Sequence, residues 1–235
     1  MAKLKKSKKY STTPWSFSSM KLLFQCPKKF FHVRIMKDYK ESENAAMLYG
    51  SAFHEAAELY VADASYTLPK KFKFAKSTLD AIKAKEDDGY VVTPEYKMGI
   101  TKGLAPCSFD SEDAFARGIG DIILMKDSKG LCGDYKTGAS AKYADMDQLE
   151  LMAIMMFVHF PEIEEVKTSL LFVVINQIIS ETYYRKDMQA MWNKWKRKHE
   201  ILEKFIVNDT WNPIQSGLCK RHCVVLECPH NGLNR

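Results

Sequence analysis

No stretch of this 235-residue chain comes near the roughly 18 consecutive apolar residues that suggest a membrane span. The longest candidate, Leu149 to Phe160, is shorter and is interrupted by Glu150 and His159. The basic N-terminus is not followed by an apolar signal region, so a cytoplasmic, intracellular location is expected and secretion is not. No glycine loop of the ATP-binding P-loop type is present. There is no internal repeat, and no low-complexity segment beyond the first ten residues. The length then suits one domain, or one domain with appendages.

What is present is an ordinary folded-protein composition, 46% hydrophobic and 27% charged. The net charge of +6 permits a polyanionic partner without demanding one. The positive charge gathers in two places. Lys3, Lys5, Lys6, Lys8 and Lys9 make a basic arm, and Lys194, Lys196, Arg197, Lys198 and Lys204 make a second stretch. Each is as apt to be a solvated face as a binding one. Of six cysteines, Cys219, Cys223 and Cys228 fall within ten residues near the C-terminus. In a reducing compartment structural disulfides are rare, so clustered thiols point to metal. Cys26 lies nearly two hundred residues earlier, and any four thiolates would suit an iron–sulfur cluster or structural Zn²⁺. Cys107 and Cys132 stand alone.

Residues 1–14 read as a disordered arm, polar and lysine-rich. Ser18 is a candidate cap for a first helix. Apolar spacing predicts helices over 45–64, 76–86, 144–160 and 186–207. Strands are expected over 90–98, interrupted at Pro94, and over 115–125, 131–136 and 166–175, with an edge strand over 180–185. Lys129-Gly130 reads as the hairpin turn between the second and third strands. The order predicts an α/β fold, a mixed central sheet flanked by helices. A helical N-terminal part (15–90) precedes a core (91–185). A C-terminal helix and Cys-rich tail (186–235) follow, all within one domain over 15–235.

Two strings on the central hairpin carry chemistry. One is Gly118-Ile119-Gly120-Asp121, the other Asp134-Tyr135-Lys136-Thr137-Gly138. On a strand Asp134 and Lys136 share a side, because side chains alternate with period two. Asp121 on the neighbouring strand can add a second carboxylate. Hard oxygen ligands with open positions suit Mg²⁺ or Mn²⁺. An Asp-X-Lys triplet alone is common and usually an exposed strand segment. With Gly-X-Gly-Asp before it and Gln148 on the next helix it becomes a specific pattern.

That pattern resembles the RecB-like branch of the PD-(D/E)XK nucleases, which includes the CRISPR-associated iron–sulfur exonucleases. Ser16-Phe17-Ser18-Ser19 and Cys26-Pro27-Lys28-Lys29-Phe30 match the family's opening, and Gly50-Ser51-Ala52-Phe53-His54 matches its glycine–histidine helix. The resemblance implies a restriction-endonuclease-like core in which His54, Asp121, Asp134 and the Tyr135 carbonyl hold the metal. It implies that Lys136 is the catalytic lysine, that Gln148 fixes the lysine or a phosphate, and that Glu95 is a further acidic group. It also implies a 4Fe-4S cluster on Cys26, Cys219, Cys223 and Cys228, with Zn²⁺ as the alternative. The chain departs from the family in two ways. Met152 stands where a tyrosine is usual, and the last three cysteines are spaced by three and four residues rather than two and five, so His222 competes with Cys223 as a ligand.

The implied function is a metal-dependent deoxyribonuclease, an exonuclease on single strands or duplex ends, acting in recombination, repair or DNA processing. Trp15, Phe17, Phe30 and Phe31 are candidates to stack bases, though core packing is the commoner use of such rings. Any unwinding would come from a helicase or recombination partner. A phage, plasmid or CRISPR-linked setting would suit a free-standing nuclease of this layout. The competing reading is an inactive DNA-binding or partner-dependent subunit with a structural metal cluster.

Overall fold

The computed structural model describes residues 10, 14–41, 44–142 and 144–234. The basic arm at Lys3 to Lys9 lies outside the described residues. The chain divides into two compact units, Glu43–Trp192 and Met1–Ser42 with Asn193–Arg235. These contact-defined units cut across the linear divisions at residues 90 and 185.

The terminal unit begins with α1, Phe17–Gln25. Its cap is Ser16, not Ser18: the Ser16 and Ser19 side chains each bond the other's backbone in a reciprocal capping box. Cys26 ends α1 and caps α2, Pro27–Phe30, with proline at the first helical position, where its missing N–H does no harm. One wider π-helical stretch, Phe31–Met36, follows. Trp15 stacks on Trp195 with ring centroids 5.6 Å apart, and Phe31 stacks on Trp211 at 4.9 Å. Phe17 meets Trp195 edge-on and Phe30 stacks on Trp211. Trp15 and Phe30 are buried. The four candidate base-stacking rings are thus packing groups of this unit.

The sheet unit opens with α3, Ala45–Ala62, capped by the Asn44 side chain. After a 3₁₀ turn comes α4, Lys76–Lys83. The sheet comprises β1 (Val91–Ile100), the two-residue β2 (Pro106–Cys107), β3 (Ala116–Lys126), β4 (Lys129–Lys136), β5 (Glu165–Phe172) and β6 (Gln177–Tyr184). Its order is β2-β1-β3-β4-β5-β6. All neighbours are antiparallel except β4 and β5. That parallel pair needs a crossover, supplied by α5, Met146–His159. The long α6, Met188–Asn208, then runs out of this unit into the terminal one.

The mixed sheet flanked by helices is as the sequence predicts, with three local corrections. The β3–β4 turn is Asp127-Ser128, with Asp127 in the left-handed region at φ 52°, and Lys129 and Gly130 already belong to β4. Pro94 does not interrupt β1 but pairs with Ile122; the ladder lapses one residue later, at Glu95. The edge strand starts at Gln177, three residues before the expected start.

Both sheet faces are covered near the centre. Ile122, Leu124 and Tyr135 pack with Phe53, Ala56 and Leu79 of α3 and α4. On the other face Gly118 lies beneath Met155 and Gly130 beneath Met156 of α5. The α5 helix is buried from Leu151 through Val158, which is why its sequence is apolar all round. Leu79 is fully buried in the α3–α4 core. Leu79→Ala should lower unfolding stability by about 2–5 kcal/mol in urea denaturation with an unchanged slope. A loss below about 1 kcal/mol would mean that this core is looser than its packing indicates.

Candidate metal centre and thiol cluster

The site sits where the β1–β3 ladder lapses for one rung and the β3–β4 ladder ends. β1 and β3 pair on either side of Glu95 and Asp121, but these two residues themselves break the ladder. β3 and β4 pair up to Ile122–Gly133 and no further, so Asp121 and Asp134 stand just past the last rung. At this level β1 and β3 also change face. Val92 and Ile122 pack towards α3 and α4, whereas Tyr96 packs on His159 and Phe160, and Gly118 faces α5. In a regular strand residues of equal parity share a face, so each strand makes a half-turn at this point. Glu95 carries the cost, with φ at 48° in the left-handed region.

The half-turn brings functional groups together. Asp121 Oδ2 accepts a hydrogen bond from the Tyr135 backbone N–H at 2.6 Å, replacing the missing ladder bond. His54, from the middle of α3, bridges the gap. Its Nδ1 lies 3.2 Å from Asp121 Oδ2 and 4.0 Å from Glu95 Oε1, and its Nε2 lies 3.1 Å from the Tyr135 carbonyl oxygen. Both near partners are acceptors, so in the metal-free protein a proton on either ring nitrogen finds one. Ligand atoms of His54, Glu95 and Asp121 all lie within 4.8 Å of one another. Gly50 lets α3 approach this closely: a Cβ there would sit 3.3 Å from Thr137 Oγ1.

Asp134 is held from the other side. Gln148, in the first turns of α5, donates to its Oδ1 at 2.6 Å, and Lys136 Nζ lies 2.6 Å from Oδ2. Lys136 thus lies beside Asp134, as strand alternation requires. Asp134 is not within the tight His54–Glu95–Asp121 group. Met152, at the position where a tyrosine was expected, is buried in α5.

The electrostatics follow from crowding acids in a dry place. Burial and the Asp121 charge raise the Asp134 carboxyl, while Lys136 and His54 pull it down less strongly. Burial and Asp121 likewise raise Glu95. For His54 burial disfavours the imidazolium, but the hydrogen bond and charge of Asp121, then Asp134 and Glu95, outweigh it and the ring is raised. Each of these three groups therefore favours its protonated form more than it would in water. Asp134 Oδ2 is buried, with the Lys136 ammonium 2.6 Å away. Carboxylate oxygens crowded with an imidazole and a backbone carbonyl fit a hard divalent cation. His54, Asp121, Asp134 and Glu95 are the side chains that would hold it, with the Tyr135 carbonyl.

The terminal unit brings Cys26, Cys219 and Cys223 together, and Cys228 is near enough to Cys223 to influence its thiol. Cys26, Cys219, Cys223 and His222 line one small cavity of about 30 Å³. The Cys26 sulfur accepts from Lys29 N–H at 3.5 Å and the Cys219 sulfur from Ser216 N–H at 3.4 Å. Burial raises the Cys223 thiol; Cys219 and Cys228 add to this, opposed by the Val225 backbone and Lys29. Cys228 is buried. Cys107 and Cys132 lie elsewhere, on the sheet.

A buried carboxylate group on a mixed sheet, with a lysine beside it and a crossover helix supplying a glutamine, is the layout of a metal-dependent nuclease core. The match is direct: the PD-(D/E)XK nuclease superfamily model covers residues 14–228, and the chain belongs to that superfamily. Its members are generally nucleases and typically use divalent metals. No curated protein matches the chain. Among solved structures it is similar to that of SSO0001, at 14% identity over 95% of this chain and 90% of that one. The TM-score of 0.39 is too low for that likeness to bear on function.

The charge crowding has a consequence for the metal-free protein. A group whose pKa is raised on folding stabilises most below its unfolded value, and that contribution is lost as pH climbs through the folded value. His54, Glu95 and Asp134 are all raised, so all three act in the same direction. In a chelator the melting temperature should fall by several degrees between about pH 4 and 8, and Mn²⁺ should restore most at the upper end. A melting temperature that climbs across that range, with no effect of Mn²⁺, would contradict this.

Proposed function

We propose that the chain is a divalent-metal-dependent deoxyribonuclease of the RecB-like kind. It would act as an exonuclease on single-stranded DNA or duplex ends during recombination, repair or related DNA processing. The observation that carries this reading is the break of the β1–β3 ladder at the level where the β3–β4 ladder ends, with His54, Glu95 and Asp121 grouped there and the Asp134–Lys136 pair on the adjoining strand. A Mg²⁺ or Mn²⁺ ion held there would polarise the scissile phosphate and lower the pKa of a bound water.

The protein's own groups do the rest. Lys136 keeps a fixed positive charge beside the reacting phosphate, where it steadies the extra negative charge of the transition state or orients the attacking water. Gln148 holds Asp134 in place, so the lysine and carboxylate keep their spacing. His54 is held between the Tyr135 carbonyl and Asp121, which fixes how far α3 stands from the strands.

In the terminal unit we assign Cys26, Cys219, Cys223 and Cys228 to a structural 4Fe-4S cluster, with Zn²⁺ as the competing occupant and His222 as the competing ligand. Three of these thiols and His222 share one cavity, and backbone N–H groups point at two of the sulfurs. Such bonds favour thiolate character. A cluster here ties two ends of the chain nearly two hundred residues apart, which is where a cross-link restricts the unfolded state most.

Two variants test these assignments. Lys136→Ala should lower cleavage of labelled single-stranded DNA by at least about 100-fold while DNA binding in EDTA stays near wild type. If the wild type binds but cuts nothing in Mg²⁺ or Mn²⁺, the inactive binding subunit takes its place. Cys228→Ala, purified without oxygen, should lose the brown absorbance of the wild type and melt lower. A colourless wild type carrying stoichiometric zinc would replace the cluster with Zn²⁺.

A further inference from the structure

Beyond the half-turn at Glu95 and Asp121, β1 and β3 continue for several residues. Because both strands have changed face, the side chains at Lys97, Ile119 and Arg117 share one side. Lys97 pairs directly with Ile119, and Arg117 pairs with Gly99, two residues past Lys97. Lys97 is exposed, Ile119 is 37% exposed, and Arg117 is partly exposed. Lys97 is also close enough to Glu95 to ease that carboxyl's ionisation. The strip therefore starts at the metal centre and leads away from it.

A fourth residue joins it from outside the strands. Gly99 has no Cβ, and one placed there would come within 2.5 Å of the Ser108 carbonyl oxygen. The missing side chain lets the segment after β2 cross close to the strand and bring Phe109 over the strip. Lys97 Nζ lies 6.0 Å from the Phe109 ring centroid and Arg117 Cζ lies 4.9 Å from it. The ring holds both cations by their charge–quadrupole attraction without neutralising either. Besides Glu95 near Lys97, Asp110, 86% exposed, lies 3.9 Å from Arg117, at the edge of ion-pair range.

We propose that Lys97 and Arg117, spaced by Phe109, form a track for the polynucleotide strand adjoining the scissile bond, each cation taking one phosphate. This rests on the nuclease reading above and deepens it. Strand geometry sets Lys97 about 7 Å and Arg117 about 13 Å along the sheet from the Glu95–Asp121 level, at roughly 3.3 Å per residue. Those steps suit successive phosphates of one extended strand leading to the metal centre. The exposed Ile119 and the half-exposed Phe109 ring between the cations offer apolar surface to bases, the combination that single-stranded nucleic acids favour. The basic residues most conspicuous in the sequence are not part of this strip. Lys194 to Lys204 belong to the terminal unit, whereas every residue here belongs to the sheet unit.

The test is salt-dependent binding of a labelled single-stranded oligonucleotide to the full chain in EDTA, by fluorescence anisotropy. Each phosphate contact to a single strand contributes about 0.7 to the slope of log affinity against log salt. Lys97→Gln with Arg117→Gln should lower the slope by about 1.4 and weaken binding about tenfold or more near physiological salt, at an unchanged melting temperature. Lys126→Gln with Lys129→Gln removes the same charge at the far β3–β4 turn and should leave the slope as in wild type. Equal losses in both double variants would reduce the effect to net charge and overturn the track. A wild-type slope in the Lys97–Arg117 variant would also overturn it, and Mn²⁺-dependent cutting of the same strand by wild type would show that the nuclease reading survives. A wild type that neither binds nor cuts the strand would overturn both.

Discussion

Everything at the centre of this protein depends on holding like charges close together in a place with little water. Asp121, Glu95 and Asp134 stand at one level of the sheet, and each raises or is raised by another. Such an arrangement is unfavourable unless opposite charge is supplied. In the metal-free protein the His54 ring, 3.2 Å from Asp121, and the Lys136 ammonium, 2.6 Å from Asp134, stand where they can supply part of it. The remainder is the attraction the site offers to a divalent cation. A centre that crowds oxygens in this way would gain from a cation for the same reason that it is costly without one.

The rest of the sheet unit places those groups. Two neighbouring strands leave their ladder at the same rung, which frees Asp121 to accept from the Tyr135 backbone. The α3 helix then brings His54 to the opening through a close approach at Gly50. The α5 helix, buried nearly all round, anchors Gln148 on Asp134 from the opposite face. The same half-turn that frees Asp121 also redirects Lys97 and Arg117. One local departure from regular strand geometry thus shapes the centre and the surface beside it.

Much of this was legible from the residues. Alternation along Asp134-Tyr135-Lys136 placed the lysine beside the aspartate, and the structure does the same at 2.6 Å. The buried helix before the parallel strand followed from the apolar residues over 144–160. The half-turn was not legible, because it requires two strands to break together and neither sequence looks unusual alone. Pro94 drew attention in β1, but the irregular residue is Glu95, whose left-handed backbone is set by the site rather than by local propensity. The aromatic residues at Trp15 and Phe30 suggested base stacking, yet their partners, Trp195 and Trp211, come from the far end of the chain. The role of Phe109 between two cations depends on a loop crossing at Gly99, which no periodicity reveals.

The most direct test of the central claim is a calorimetric titration of Mn²⁺ into the metal-free protein, beside Asp121→Ala. The account predicts saturable binding to wild type that takes up the excess charge of the centre and is lost in the variant, with the variant still folded. Equal binding by both proteins, or none by the wild type, would contradict the assignment of this carboxylate centre as the metal site.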